Sequence, residues 1–262
     1  MTSGKDILNQ TGCVAVALLL TACEGLFGGI YDEAPETAKQ EVAAQGDTIS
    51  GTLYIDASSW TDWYYIDLRA MVDSVAAGKS IPQDFTAYPI PTTLTGVGDG
   101  KTGIYTYWFD VWGQGISVNE FRNFKPIDPQ PEPPNWTFAV HRNNVRTNGG
   151  AVYETALTDI KDVRKITDDG LFTPDEWSEK TVWADQSQML SSLVGSQGIK
   201  VNKVLSSWLR VDIPPMPPAF TLNNHVFILR LNDGTCAALQ LENYQSTKGV
   251  KCCLTINYKY PL

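Results

Sequence analysis

Apolar and polar residues alternate along the C-terminal end of the chain: Cys252, Leu254, Ile256, Tyr258 and Tyr260 interleave with Cys253, Thr255, Asn257 and Lys259. A period of two puts one set on each face of a strand, so this stretch predicts a strand with one buried face. Upstream, the apolar run 226–231 meets Asn232-Asp233-Gly234 and returns as residues 235–241, a predicted hairpin whose Asp-Gly turn supplies φ > 0. Residues 52–56 and 63–68 predict two more strands around an Ala57-Ser58-Ser59 turn. Residues 136–140 predict another, running into His141-Arg142 and stopped by Asn148-Gly149-Gly150. Helical spacing is scarce. Residues 68–77 fit a short helix, and Thr173 before Pro174-Asp175-Glu176-Trp177 fits an N-cap with proline at the first helical position. The predicted fold class is all-β, mostly antiparallel, with few short helices. The proline-rich stretch 126–134 is a polyproline-like connector. Both flanks look like strands of similar composition, which favours a loop on one sheet over a domain boundary.

The N-terminus follows a different pattern. Lys5 precedes a short apolar run, residues 14–20, far below the roughly 20 residues of a membrane-spanning helix. A charged start, a brief apolar stretch and small residues at its end mark a secretory signal peptide, and Leu20-Thr21-Ala22-Cys23 resembles a bacterial lipobox. Residues 1–22 are therefore expected to be a lipoprotein signal peptide, with Cys23 lipidated as the first mature residue. Gly25, Gly28 and Gly29 followed by Asp32, Glu33 and Glu36 read as a flexible tether, residues 23–47. A single β domain over 48–262 follows, with membrane contact expected only through the lipid.

Composition narrows the function. Hydrophobic residues make up 43% and charged residues 19% of the 262, which suits a folded domain and not a disordered chain. Twenty Lys+Arg against 29 Asp+Glu give a net charge of −9, so nucleic acid is not an expected partner: little would replace the counterions of a phosphate backbone. Two histidines leave little room for a histidine zinc site or imidazole acid–base chemistry. Beyond Cys13 and Cys23, the odd set Cys236, Cys252 and Cys253 makes no disulfide framework. Strand geometry points the adjacent pair to opposite faces, which spoils it as a joint metal site.

Two motifs fail on inspection. Gly96-Val97-Gly98-Asp99-Gly100-Lys101-Thr102 is one residue short of a phosphate loop and is followed by a strand-like run, so these are turn glycines. Asp168-Asp169-Gly170 with Glu176 suggests a calcium loop, but Lys165 stands where the leading carboxylate belongs. No Gly-x-Ser-x-Gly elbow exists, and His141 and His225 both lie in strand-like segments. No catalytic residue is expected, and the chain does not read as an enzyme. Methionine stands out instead. Met189 lies in a polar stretch and Met216 between Pro214-Pro215 and Pro217-Pro218. Rigid prolines on both sides present a thioether at a fixed surface position. Thioether sulfur is a soft ligand for haem iron or Cu(I); an exposed or pocket-lining methionine is the plainer alternative.

Several segments are similar to the HmuY-like haem-binding lipoproteins of Bacteroidota. They are the lipobox, Leu53-Tyr54-Ile55-Asp56-Ala57-Ser58 with Trp63-Tyr64-Tyr65, and above all the run from Phe138 to Val152 containing Val140-His141-Arg142 and Asn148-Gly149-Gly150. The likeness continues through Leu222-Asn223-Asn224-His225-Val226, Asp233-Gly234, Gln240 to Tyr244, and Leu254 to Pro261. Residues 70–135 show no such likeness and read as an insertion. The resemblance implies an all-β, hand-like fold that holds haem between two axial side chains on mobile loops. It also implies delivery to a TonB-dependent outer-membrane receptor in iron acquisition, with host haemoproteins as further partners and a place on the cell surface, in the outer membrane. Founding members use two histidines, where this chain has Ser187 and Ile213. The nearest donors are Met189 and Met216, and relatives with a methionine pair make them the implied axial ligands of haem iron. Neutral thioethers favour ferrous over ferric haem. Trp183, Trp208 and Phe220 are candidates to pack the porphyrin, and Lys200 or Lys203 to meet its propionates. Two alternatives stay open. One is a same-fold lipoprotein for another tetrapyrrole or a siderophore. The other is a surface glycan-binding or adhesion lipoprotein using the eight tryptophans as stacking platforms.

Overall fold

A computed structural model describes residues 43–46, 48–81, 85–89, 92–94, 103–107, 120–121, 124–126, 132–163, 171–185, 193–212 and 217–262. The chain begins with β1 (Ala43–Gln45), β2 (Thr48–Asp56), β3 (Asp62–Ile66) and helix α1 (Leu68–Ala76). Short strands follow: β4 (Thr86–Pro89), β5 (Thr92–Leu94), β6 (Gly103–Tyr107), β7 (Glu120–Phe121) and β8 (Phe124–Pro126). Then come β9 (Phe138–His141), β10 (Asn144–Thr147), β11 (Ala151–Glu154), β12 (Thr173–Pro174), β13 (Glu176–Asp185) and β14 (Leu193–Val201). One helical turn, α2 (Lys203–Ser206), leads to β15 (Leu209–Asp212), β16 (Ala219–Leu222), β17 (Phe227–Arg230), β18 (Cys236–Gln245) and β19 (Lys251–Tyr260).

The largest sheet has the order β1-β2-β19-β18-β17-β11-β12, and each of its pairings is antiparallel. Its C-terminal strand behaves as its alternation predicts. In β19, Cys252, Leu254, Ile256, Tyr258 and Tyr260 are buried and the residues between them are half-buried. The β17–β18 hairpin closes through Asn232-Asp233-Gly234 with Gly234 at φ +86°. A second sheet, β10-β9-β3-β4, packs against the first, and a third has the order β13-β14-β6-β7. The β15–β16 and β5–β8 pairs stand as two-stranded ribbons.

Three apolar clusters hold these layers together. The main one joins Leu53, Leu239, Leu254 and Ile256 of the large sheet to Phe138, Val140 and Val145 of β9 and β10, with Leu68 and Met71 of α1 and Trp208. The second sets Trp63, Tyr65 and Trp136 against Val182, Ala184, Ile199 and Val201, fixing the β13–β14 hairpin to the second sheet. The third covers the other face of the large sheet with Val226, Ile228, Cys236, Ala238 and Val163.

Several expectations change at this level. The run 63–68 leaves the strand at Ile66, because Asp67 accepts from the N–H groups of Arg69 and Ala70 and caps α1. β2 and β3 enter different sheets instead of pairing across their short connection. The strands flanking the proline-rich stretch lie in different sheets: β8 before it pairs with β5, while β9 after it pairs with β3 and β10. Residues 173–177 form no helix. Pro174 pairs with Ala151, and Glu176 and Trp177 pair with Val201 and Lys200.

Gly150, just before β11, lies close against β17. A Cβ there would lie 2.6 Å from the Arg230 carbonyl oxygen and 3.2 Å from Leu229 Cδ1. Backbone cannot yield as a side-chain tip can, so Gly150→Ala is expected to destabilise the protein by about 2 kcal/mol. Urea unfolding checks this, and a change below about 0.5 kcal/mol contradicts it.

Candidate functional site

Two hairpins stand side by side on the body of the protein. β13 and β14 pair with register shifts between Ser178 and Val182 and between Trp183 and Asp185, the kind of bulging that bends a strand beside a site. β15 and β16 pair without interruption from Leu209↔Leu222 to Asp212↔Ala219. Together they wall a cavity of about 570 Å³, within the usual range of ligand pockets. Thr181 and Val201 come from the first hairpin, and Leu209, Arg210, Val211 and Thr221 from the second. Asn143, Asn144, Glu154 and Asn223 add to the lining from the body, and Lys203, Ser206 and Ser207 from α2 and the residue after it.

The feet of the first hairpin are clamped. Asp175, just before β13, accepts from the Thr147 N–H at 2.7 Å, the Thr147 hydroxyl at 2.9 Å and Asn202 Nδ2 at 3.1 Å. Asn202, just after β14, also donates to the Thr173 carbonyl at 3.0 Å and caps α2 by accepting from Leu205 N–H at 2.9 Å. Burial pushes the Asp175 carboxyl up from its ordinary value, against the pull of the bonds from Thr147 and Asn202.

β13 also carries a layered stack. Val182 and Ala184 turn into the second core cluster, so Thr181 and Trp183 share the opposite face. Trp60, from the β2–β3 connection, lies nearly parallel to Trp183 with ring centroids 5.7 Å apart and an interplanar angle of 10°. The Arg142 guanidinium lies over Trp60 at 4.2 Å and donates to the Ser58 carbonyl at 2.7 Å. His141 Nε2 bonds the Trp60 carbonyl at 3.0 Å. A carbonyl only accepts, so Nε2 carries the proton and Nδ1, buried and without a partner, is bare. Burial pushes the His141 pKa down to about 4. That histidine is a neutral structural group.

The other candidates fall out as follows. Met189, Met216, Ser187, Ile213 and Cys23 lie outside the described residues. Met189 belongs to the connection between β13 and β14, and Met216 to that between β15 and β16. Trp208 is 0% exposed in the main core, so it cannot face a ligand. Phe220 stacks on Tyr244 with ring centroids 5.5 Å apart, turned toward the large sheet. Trp183 does not line the cavity; it shares a face of β13 with Thr181, which does. Lys200 is exposed on β14 and does not line the cavity. Lys203 lines it and is paired with Glu176 at 2.7 Å. His225 bonds Glu154 Oε1 through Nδ1 at 2.8 Å. Cys236, Cys252 and Cys253 are free thiols, and among the described residues no cluster of three or more His, Cys, Asp or Glu could hold a metal ion. No helix of the described residues is long and apolar enough to cross a membrane. Arg142 and Trp60 were missed by sequence reasoning, since their pairing depends on two loops brought together from 80 residues apart.

Known proteins of this architecture supply context. The chain superposes on the crystal structure of a candidate HmuY-like heme-binding protein from Bacteroides vulgatus with a TM-score of 0.57 and 30% identity, covering 81% of this chain and 92% of that one. A candidate lipoprotein from Bacteroides fragilis gives a TM-score of 0.60 at 28% identity, over 87% of this chain and 99% of that one. The apo HmuY analogue of Tannerella forsythia, at 20% identity, shares the fold with a TM-score of 0.59, over 85% of this chain and 99% of that one. No curated protein matches the chain. The HmuY protein family model matches residues 59–258, running across 70–135, where the sequence alone showed no likeness. There β6 supplies the strand that flanks β14. With three-quarters of its length matched by that model, this all-β chain belongs to the HmuY family.

Proposed function

We propose that the protein is a cell-surface haem-binding lipoprotein, a carrier and not an enzyme, that holds haem iron between Met189 and Met216. One observation carries this reading: two hairpins share the wall of a single cavity, and the connection of each contains one of the two methionines. The likeness to a candidate HmuY-like heme-binding protein supports the choice of ligand. The cavity suits a partly apolar, partly polar guest, with Val201, Leu209 and Val211 beside Asn143, Asn144 and Thr221. Haem would supply the coordinating iron. The chain supplies two neutral thioethers and hairpins clamped at one foot. Anchoring through Cys23 in the outer membrane and transfer of haem to a TonB-dependent receptor complete the proposal.

The glycan alternative loses ground to the placement of the aromatic rings. Trp63, Trp136 and Trp208 are buried, and among the described residues Trp177 is the one tryptophan that is exposed, at 53%. Another tetrapyrrole or a siderophore in the same cavity stays an outcome of the test. A haem titration followed by absorbance, with and without dithionite, is expected to give a saturable one-to-one complex that becomes six-coordinate and low-spin on reduction. Met189→Ala and Met216→Ala are each expected to weaken ferrous haem binding about tenfold or more, some 1.4 kcal/mol, with folding intact. No saturable change in either redox state refutes haem as the ligand. Unchanged spectra in both variants refute the ligand pair.

A further inference from the structure

The cations around the cavity are not alike. Lys203 is paired with Glu176 at 2.7 Å, and Arg210 with Asp212 at 2.9 Å, so neither offers an unmatched charge. Arg142 stands immediately before the cavity-lining Asn143 and has no carboxylate partner among the described residues. One of its five N–H groups is used, on the Ser58 carbonyl, and the other four find no protein acceptor there. In a chain of net charge −9, a half-buried guanidinium without a carboxylate is unusual.

Its backbone adds a second observation. Arg142 and Asn143 form the two-residue turn between β9 and β10, and Arg142 sits at φ +55°, a left-handed conformation that glycine adopts freely and an arginine does not. The turn itself would be more relaxed with glycine, so the side chain is what this position uses. That side chain is held over Trp60 at 4.2 Å, and Trp60 in turn lies against Trp183, which shares a face of β13 with the cavity-lining Thr181. The stack thus ties a rigid, unmatched guanidinium to the hairpin whose connection carries Met189. A planar fork of N–H donors matches a carboxylate, and prior stacking lowers the entropy lost on binding one.

We propose that Arg142 is the carboxylate-binding residue of this cleft, selecting ligands whose flat body carries an acidic side group. This rests on the haem reading, in which the acidic groups are the two propionates. The test compares haem with haem dimethyl ester, which keeps the iron and the ring and loses both charges. The wild-type protein is expected to bind haem about tenfold tighter than the ester, and in Arg142→Gln that ratio is expected to fall to about one with ester affinity unchanged. Arg142→Lys, which keeps the charge and loses the fork, is expected to lie between. A wild-type ratio of one overturns the inference without any variant, and so does a ratio that survives in Arg142→Gln. Equal weakening of haem and ester in Arg142→Gln overturns it too, since that pattern marks a residue that only pins the Trp60 loop. Failure of the wild type to bind either compound refutes the haem reading itself, and the inference with it.

Discussion

Asp175→Ala is expected to lower the unfolding free energy by about 2–4 kcal/mol, because it removes the acceptor of three hydrogen bonds at once, although the Thr147 hydroxyl keeps the Gly150 carbonyl and Asn202 Nδ2 the Thr173 carbonyl. The Thr147 N–H, the Thr147 hydroxyl and Asn202 Nδ2 all converge on its two oxygens. Thr147 is 5% exposed and Asn202 fully buried, so water reaches neither donor cheaply. The damage also falls on the site. Asp175 and Asn202 are the residues flanking the β13–β14 hairpin, and both are tied through this carboxylate to Thr147 at the end of β10. Loosening them frees one wall of the cavity from the body. Asp175→Asn is expected to cost less, since an amide oxygen keeps one acceptor while its NH2 faces a donor. Urea unfolding of both variants measures this, and a loss below 1 kcal/mol in Asp175→Ala shows that the clamp contributes little.

Acid is expected to remove about 3 kcal/mol of stability through His141 alone between pH 6.5 and pH 4. The imidazole is fully buried with its pKa pushed down to about 4, mainly by loss of solvation and further by the nearby Arg142 charge; the Trp60 carbonyl and Asp62 pull the other way without prevailing. The folded protein therefore holds it neutral, while the unfolded chain takes up a proton below about pH 6.5. Proton uptake by the unfolded state makes stability fall as pH falls, from its full value above 6.5 to a plateau below 4. The readout is the difference between wild type and His141→Gln, whose amide keeps a donor for the Trp60 carbonyl and does not titrate. Parallel pH profiles for the two proteins contradict the assignment.

Local pattern revealed the elements whose neighbours in space are also neighbours in sequence. The β17–β18 hairpin needed only an apolar run, Asp233-Gly234 and a return, and β19 only its alternation. Where a distant partner decides, the pattern misled. Asp175 looks like part of a helix start, but its carboxylate is taken by Thr147 and Asn202, and the backbone after it pairs with β14. Trp208 looks like a porphyrin platform until the one-turn helix α2 turns it into the main core. A tryptophan carries no mark in sequence of which way it faces. The candidate site was half legible: methionines framed by polar residues or prolines flag two surface connections, but nothing local says that their hairpins share a cavity. Arg142 was illegible because its meaning lies in a backbone angle and in the absence of a partner.

The partnership of β2 with β19 sets the order in which this protein can be made. Thr48 donates to the Pro261 carbonyl and Thr52 to Asn257 Oδ1, contacts that span 213 and 205 residues of chain. β2 and β19 lie side by side within the largest sheet, and the main core is built on both. A ribosome must therefore release all the chain between them before these two strands can meet, and closing so long a loop slows the search for that pairing. Until then β2 lacks its partner strand and the main core stays open. Topology alone delays maturity until β19 has been made.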